Sequence, residues 1–290
     1  MDIFKKGCIF AIISSVSYGL IPLFAVPLRL ENISFDAVLV YRFAFSSAVL
    51  ALYFIIQKIS IRVSLKQFFV LMMLGLIFSL SAEFFFLSYD YLTAGTVSTV
   101  FFIYPVFVAV IMGVFFKERL KAPQWMAIII SLAAIVVLNR STEEFSINFK
   151  GLILVFLSTL NYSLFVIIIN KSCVKNLSGT VMTFYSMGFC CVFFLAKCML
   201  HGDDFAISGI QTWFEIALFA LITTTTSCIT LAIAIKCIGS TLTSIFGVLE
   251  PIVAVAVSVI FLHESLSINL IIAVILVAAA VMILCVAQKK

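Results

Sequence analysis

Three ionisable side chains, Arg42, Glu83 and Glu250, stand inside long apolar stretches of the chain. At such positions an ionised group is costly unless paired or hydrated, and it marks a site to be explained. Glu250 precedes Pro251, and 146 residues earlier Tyr104 precedes Pro105; each proline lies 13 positions before a further glutamate, Glu264 and Glu118. A proline in mid-helix removes a backbone donor, so the carbonyl near Gly247 is expected to be freed beside the Glu250 carboxylate, an arrangement suited to an amine or a proton. Pro105, Pro251 and Gly247 are the expected helix breaks. At about 1.5 Å of rise per residue, Tyr18, Tyr104, Asn161, Tyr162, Glu250 and the threonine run 223–226, with Thr226 as its candidate ligand, all fall near the middle of their apolar segments. Polar groups converging at one depth predict a central cavity. Arg42 and Glu83 lie at similar depth nearer one surface, and are expected to form an ion pair or to serve as a gate. If they face the cavity instead, Arg42 suits a carboxylate and Glu83 an amine.

The elements that must hold these residues are helices in a bilayer. Hydrophobic residues make up 64% of the 290 and charged residues 11%, against about 45–50% and 25% in a soluble domain. Ten stretches approach the roughly 20 apolar residues that cross a bilayer: 5–28, 36–57, 67–90, 93–116, 122–139, 149–170, 178–200, 209–235, 240–262 and 267–287. The first, with Lys5 and Lys6 ahead of it, reads as an uncleaved helix. Placing both termini in the cytoplasm puts 13 of the 18 Lys and Arg on the inner side and three on the outer, the bias expected of a multi-pass protein of the inner (plasma) membrane. The net charge of +5 sits in the short links and sets topology, so no nucleic-acid partner is expected.

Further matches join the two halves. Ser17-Tyr18-Gly19 corresponds to Asn161-Tyr162-Ser163 and Tyr41 to Tyr185, both 144 residues apart. With five helices per half the second half enters the membrane from the opposite side, so the fold expected is an all-α integral membrane protein of ten transmembrane helices in two inverted five-helix repeats. The repeats run over 1–140 and 147–290, with a substrate site where they meet. The passage from Tyr89-Asp90-Tyr91-Leu92-Thr93-Ala94-Gly95 through Tyr104-Pro105 to Lys117-Glu118-Arg119-Leu120, and its second copy from Ile238-Gly239-Ser240 through Glu250-Pro251 to His263-Glu264-Ser265-Leu266, resemble the signature of the EamA family of the drug/metabolite transporter superfamily. That resemblance implies a carrier of amino acids or other small metabolites, in most cases an exporter. Glu250 departs from the apolar or small polar residue expected before the second proline.

No GxxxxGK[ST], HExxH, GxSxG or GxGD segment occurs, so direct ATP use and the common hydrolytic chemistries are not expected. The eight cysteines lack zinc-type spacing, and neither a metal nor a cofactor is expected, with proton coupling through Glu250 the open possibility. Lys197 is expected to extend outward toward a solvated loop holding His201, Asp203 and Asp204. Gly239, Thr243 and Gly247 form a small-residue stripe suited to close helix contact, and Glu118 and Glu264 are expected to cap or pair with helix ends. The expected function is a secondary transporter of small metabolites working by alternating access, its partners a small-molecule substrate and the lipid bilayer, its oligomeric state left open. An exporter of hydrophobic organic cations is the alternative, because a buried glutamate among aromatic rings suits an organic cation.

Overall fold

A computed structural model describes residues 3–30, 34–117, 122–139, 148–207 and 209–287. The first half holds α1 (Ile3–Gly19), α2 (Ile21–Leu30), α3 (Phe35–Gln57), α4 (Leu65–Ser88), α5 (Ala94–Phe101), α6 (Tyr104–Phe115) and α7 (Ala122–Asn139). The second holds α8 (Phe149–Lys171), α9 (Gly179–His201), α10 (Ile210–Leu218), a π-helical segment (Phe219–Thr226), α11 (Ser227–Phe246), α12 (Leu249–Ile260) and α13 (Ile268–Ala287). No strand occurs among the described residues. Among the described residues seven helical runs are long and apolar enough to cross a membrane, and Ala122–Leu138, Leu249–Ile260 and Ile268–Leu284 are shorter apolar helices. Large apolar side chains such as Ile55, Phe115, Leu200 and Ile275 point outward. Much of the interior is small: Ser46, Ser79, Ser158, Thr159, Ala127, Ala134, Ala273 and Ala280 are buried. Small residues let helix backbones approach closely where lipid removes the hydrophobic drive for association.

Three long runs are interrupted ahead of a proline. Leu20 separates α1 from α2, Phe102 and Ile103 separate α5 from α6, and Gly247 and Val248 separate α11 from α12. Pro22, Pro105 and Pro251 thus fall in the first turn of the following helix, where a missing N–H leaves no bond unmade. The Gly247 carbonyl, expected to be free, accepts the Glu250 N–H at 2.9 Å. Gly239 has φ +80°, a left-handed value that glycine adopts without strain. It interrupts α11, so the expected stripe through Gly239, Thr243 and Gly247 does not run along one unbroken helix.

The closest pairings join the halves: α1 with α11, α7 with α13, α4 with α8, α3 with α9 and α5 with α12. Matched residues make matched contacts. Ser14 Oγ donates to the Ser227 carbonyl at 2.9 Å, and Ser158 Oγ to the Ser81 carbonyl at 2.8 Å. Ser14 and Ser158 are 144 residues apart, and Ser81 and Ser227 are 146 apart. Tyr41 OH donates to the Phe205 carbonyl at 3.0 Å and Tyr185 OH to the Ile61 carbonyl at 2.9 Å, both members displaced by 144. Gly7 lies flush against Cys237 and Ile238, and Gly151 against Tyr91 and Leu92, at the same offsets. Glu264 reaches across to α5, accepting the Ala94 N–H at 2.8 Å and the Gly95 N–H at 3.4 Å. It caps that helix, as anticipated for a glutamate at a helix end. Glu118, its sequence counterpart, and the basic residues Arg119, Lys121, Arg140, Lys289 and Lys290 lie outside the described residues.

Candidate functional site: a one-ended central cavity

A cavity of about 310 Å³ opens between the halves, lined by residues from α1, α2, α3, α4, α5, α6, α8, α9, α11, α12 and the π-helical segment. Its walls are aromatic. Tyr104 and Tyr162 meet edge to face at 4.8 Å between ring centroids, and Phe101 and Phe165 flank Tyr162 at 5.2 and 5.9 Å. Tyr18, Phe43, Phe78, Phe85 and Phe86 continue the lining. Ser163 Oγ donates to the Tyr104 carbonyl at 3.1 Å, fixing the chain where α6 begins. The faces of such rings are electron-rich and attract cations.

Two charges enter this aromatic surround. Glu250 is in the first turn of α12, where the helix N-terminus favours a negative group. A Cβ on Gly19 would stand 2.8 Å from the Glu250 carbonyl oxygen, so only glycine lets α1 approach this turn. Among the described residues no side chain hydrogen-bonds to the Glu250 carboxylate. Arg42 is 5% exposed. Its Nε donates to Thr224 Oγ1 at 3.1 Å and an Nη to Thr223 Oγ1 at 3.2 Å. Its guanidinium lies 3.9 Å from the Phe219 ring centre, 5.4 Å from Phe43 and 5.5 Å from Phe86. The threonines that hold it belong to the π-helical segment, a geometry that often marks functional sites.

Arg42 and Glu83, expected to pair, do not. Glu83 Oε1 accepts Lys197 Nζ at 2.6 Å, and Asp36 holds the same ammonium at 2.8 Å. Depth along two helices fixes height but not the direction each side chain faces, and α4 turns Glu83 toward α9. Lys197 does reach the vestibule with His201 and Asp203, as expected, but it is held there by two carboxylates. A list of every charge inside an apolar stretch would have raised this triad, since Lys197 too needs a partner there. Asn161 and Thr226 lie off the cavity. The Asn161 amide turns back to the Leu157 carbonyl at 2.8 Å, and Thr226 is exposed on the outer surface. Of the threonine run it is Thr224 that lines the cavity, and Ser227, Cys228, Ser14 and Ser81 are lining positions that no sequence signal singled out. Gly247 marks the break before α12 without lining the cavity.

At one end the lining reaches Ile169, Gly179 and Ile235, beside the α8–α9 link and Lys236. At the other it stops at Arg42 and Phe86. Beyond Phe86 is a separate vestibule of about 190 Å³ bounded by Arg29, Asp36, Glu83, Lys197, His201 and Asp203. Asp36, His201 and Asp203 gather ligand-type atoms within 4.8 Å there, but Lys197 already engages Asp36.

An all-helical chain with an apolar exterior, whose halves supply matching contacts around one cavity, is a multi-pass membrane protein with a duplicated architecture. The sequence pattern of the EamA-like transporter family matches residues 5–140 and again residues 149–286, so the chain belongs to that family: it is a membrane transporter, not an enzyme. The fold is shared with solved structures. A crystal structure of another protein superposes with a TM-score of 0.68 over 98% of each chain at 14% sequence identity, one of 28 similar chains. No curated protein matches the sequence.

Proposed function

We propose that the protein is a secondary transporter that carries amino acids or similar small zwitterions out of the cell by alternating access. The observation that carries this reading is the cavity, which offers one carboxylate, Glu250, unpaired among the described residues, and one guanidinium, Arg42, within an aromatic lining. Glu250 takes the substrate ammonium or a proton, Arg42 the substrate carboxylate, and the rings of Tyr18, Tyr104 and Tyr162 the apolar part. A volume of about 310 Å³ is at the small end of the roughly 300–1,000 Å³ of small-molecule sites, which favours a metabolite over a bulky drug. The guanidinium in the lining also disfavours a hydrophobic cation. That second reading draws on Glu250 standing among three tyrosines with no basic partner among the described residues.

The ten-helix inverted repeat supplies the moving parts. The tie from Tyr41 to Phe205 sits near the Lys197 end and its counterpart from Tyr185 to Ile61 near Lys58 and Arg62, at the opposite end. Matched contacts at opposite ends support halves related by an axis in the membrane plane. With both termini in the cytoplasm of an inner (plasma) membrane protein, the cavity end at Ile169, Gly179 and Ile235 faces inward. Pro105, Pro251 and Gly247 mark where the halves bend.

The test is competition in proteoliposomes holding the purified protein. Zwitterionic amino acids, their decarboxylated amines, their deaminated acids and quaternary ammonium dyes compete against a labelled amino-acid mixture. Zwitterions are expected to compete at least tenfold better than either singly charged analogue. Preference for the dyes would replace this reading with the cation exporter.

A further inference from the structure

The end of the cavity that is closed differs from the end that is reached by one set of matched positions. At the closed end Phe35 packs edge to face on Phe86 at 5.2 Å between centroids, and Phe86 forms a wall of both the central cavity and the vestibule. It is 3% exposed, with the rings of Phe85, Tyr89 and Phe219 around it. The offsets of 144 and 146 that relate the serine, tyrosine and glycine contacts carry Phe35 to Gly179 and Phe86 to Ala232. There the lining reaches Gly179, and a Cβ built on it would meet Ala232 Cβ at an ordinary 3.7 Å. A pair of rings blocks one end where a glycine and an alanine leave room at the other.

The charges above the rings are one-sided too. Lys197 of α9 is bound at 2.8 Å by Asp36 of α3 and at 2.6 Å by Glu83 of α4, so a residue of the second half is clasped by two from the first. The three side chains are 15–23% exposed. The same offsets carry Asp36, Glu83 and Lys197 to Thr180, Ile229 and Tyr53, which hold no charge. The triad therefore belongs to one end of the duplicated bundle alone. It bridges the halves directly above the ring pair.

We propose that Phe35 and Phe86, latched by Lys197 between Asp36 and Glu83, form the gate at this end of the transport path. Opening this end parts α9 from α3 and α4 and swings Phe86 from between cavity and vestibule. With two carboxylate partners, Lys197 stays held by one while it leaves the other. A substrate leaving the cavity toward the vestibule passes between these groups, and the opposite end must close by other contacts. The gate rests on the transporter reading, but it can be examined without a substrate.

Cys228 lines the central cavity and serves as reporter. In a full-length chain whose other cysteines are alanine, a membrane-impermeant methanethiosulfonate reagent is applied from one face at a time in oriented vesicles. The unaltered gate is expected to give labelling from the Lys171 face at least tenfold faster than from the Lys197 face. Lys197→Met and, independently, Phe86→Ala are each expected to raise the rate from the Lys197 face at least tenfold. The exchanged pair Lys197→Glu with Glu83→Lys is expected to restore protection, a rescue that loss of packing alone does not produce. Unchanged protection in both single variants, with labelling from the Lys171 face intact, overturns the gate. Equal labelling from both faces before any substitution overturns alternating access itself.

Discussion

Arg42 illustrates how a buried cation is held without an acid. Two threonine hydroxyls and the Phe219 ring surround its guanidinium, which stabilises the charge without neutralising it. Arg42→Lys keeps the charge but loses the planar fork that reaches Thr223 and Thr224 together. Affinity for a carboxylate-bearing substrate is expected to fall roughly 10- to 100-fold, the equivalent of the about 1.5–3 kcal/mol carried by a hydrogen bond to a charged group. Isothermal titration in detergent checks it, with the decarboxylated amine as a control that should be unaffected. At Glu250 the two candidate jobs separate by energy source. Glu250→Gln cannot exchange a proton, so it is expected to abolish accumulation driven by a pH gradient in proteoliposomes. Undiminished pH-driven flux in that variant would remove Glu250 from coupling. At this scale the sequence was partly legible. Tyr18, Tyr104, Tyr162 and Glu250 do line the cavity, because 1.5 Å per residue fixes depth. Asn161, Thr226 and the partner of Glu83 were not, because depth says nothing about which way a side chain points around its helix.

The helices make sharper predictions about packing than about chemistry. Added Cβ atoms at Gly7 and Gly151 would stand 2.4 Å from Ile238 Cγ2 and 2.6 Å from Tyr91 Cβ, closer than real contacts allow. Since these are the same contact made once in each half, Gly7→Ala and Gly151→Ala are expected to destabilise similarly, by about 1–3 kcal/mol each. Gly188 has only Ser47 Oγ at 3.9 Å, so Gly188→Ala is expected to be neutral or to stabilise by up to about 1 kcal/mol. Thermal unfolding in detergent distinguishes the three. Pro251 presents the reverse case. It lies in the first turn of α12, so Pro251→Ala should change stability by less than about 1 kcal/mol, not by the roughly 3 kcal/mol of an interior proline. The same melting experiment measures it. Helix positions and the breaks at Pro105 and Pro251 were legible from hydropathy and proline placement, while the break ahead of Pro22 falls inside a stretch read as one helix. The π-helical segment Phe219–Thr226 was not, since an apolar run ending in threonines has the same hydropathy in an α-helix as in a π-helix.

Across the whole molecule, duplication explains the frame and departures from it explain the function. The serine, tyrosine and glycine contacts recur at fixed offsets and tie one half to the other. Glu250 against Tyr104, Arg42 against Ser186, and Phe86 against Ala232 break the match, and each breaks it at the cavity. The repeat was legible in sequence from the proline-to-glutamate spacing. The one-ended cavity was not, because it depends on which matched position carries a large ring and which a small side chain. The proposed alternating access requires a cavity reached from one end at a time, and counterflow of labelled substrate in proteoliposomes tests that most directly. Liposomes preloaded with unlabelled substrate are expected to accumulate the labelled form transiently above its external concentration, with a rate that saturates. Flux linear in concentration, with no transient accumulation, would contradict alternating access and point to a channel.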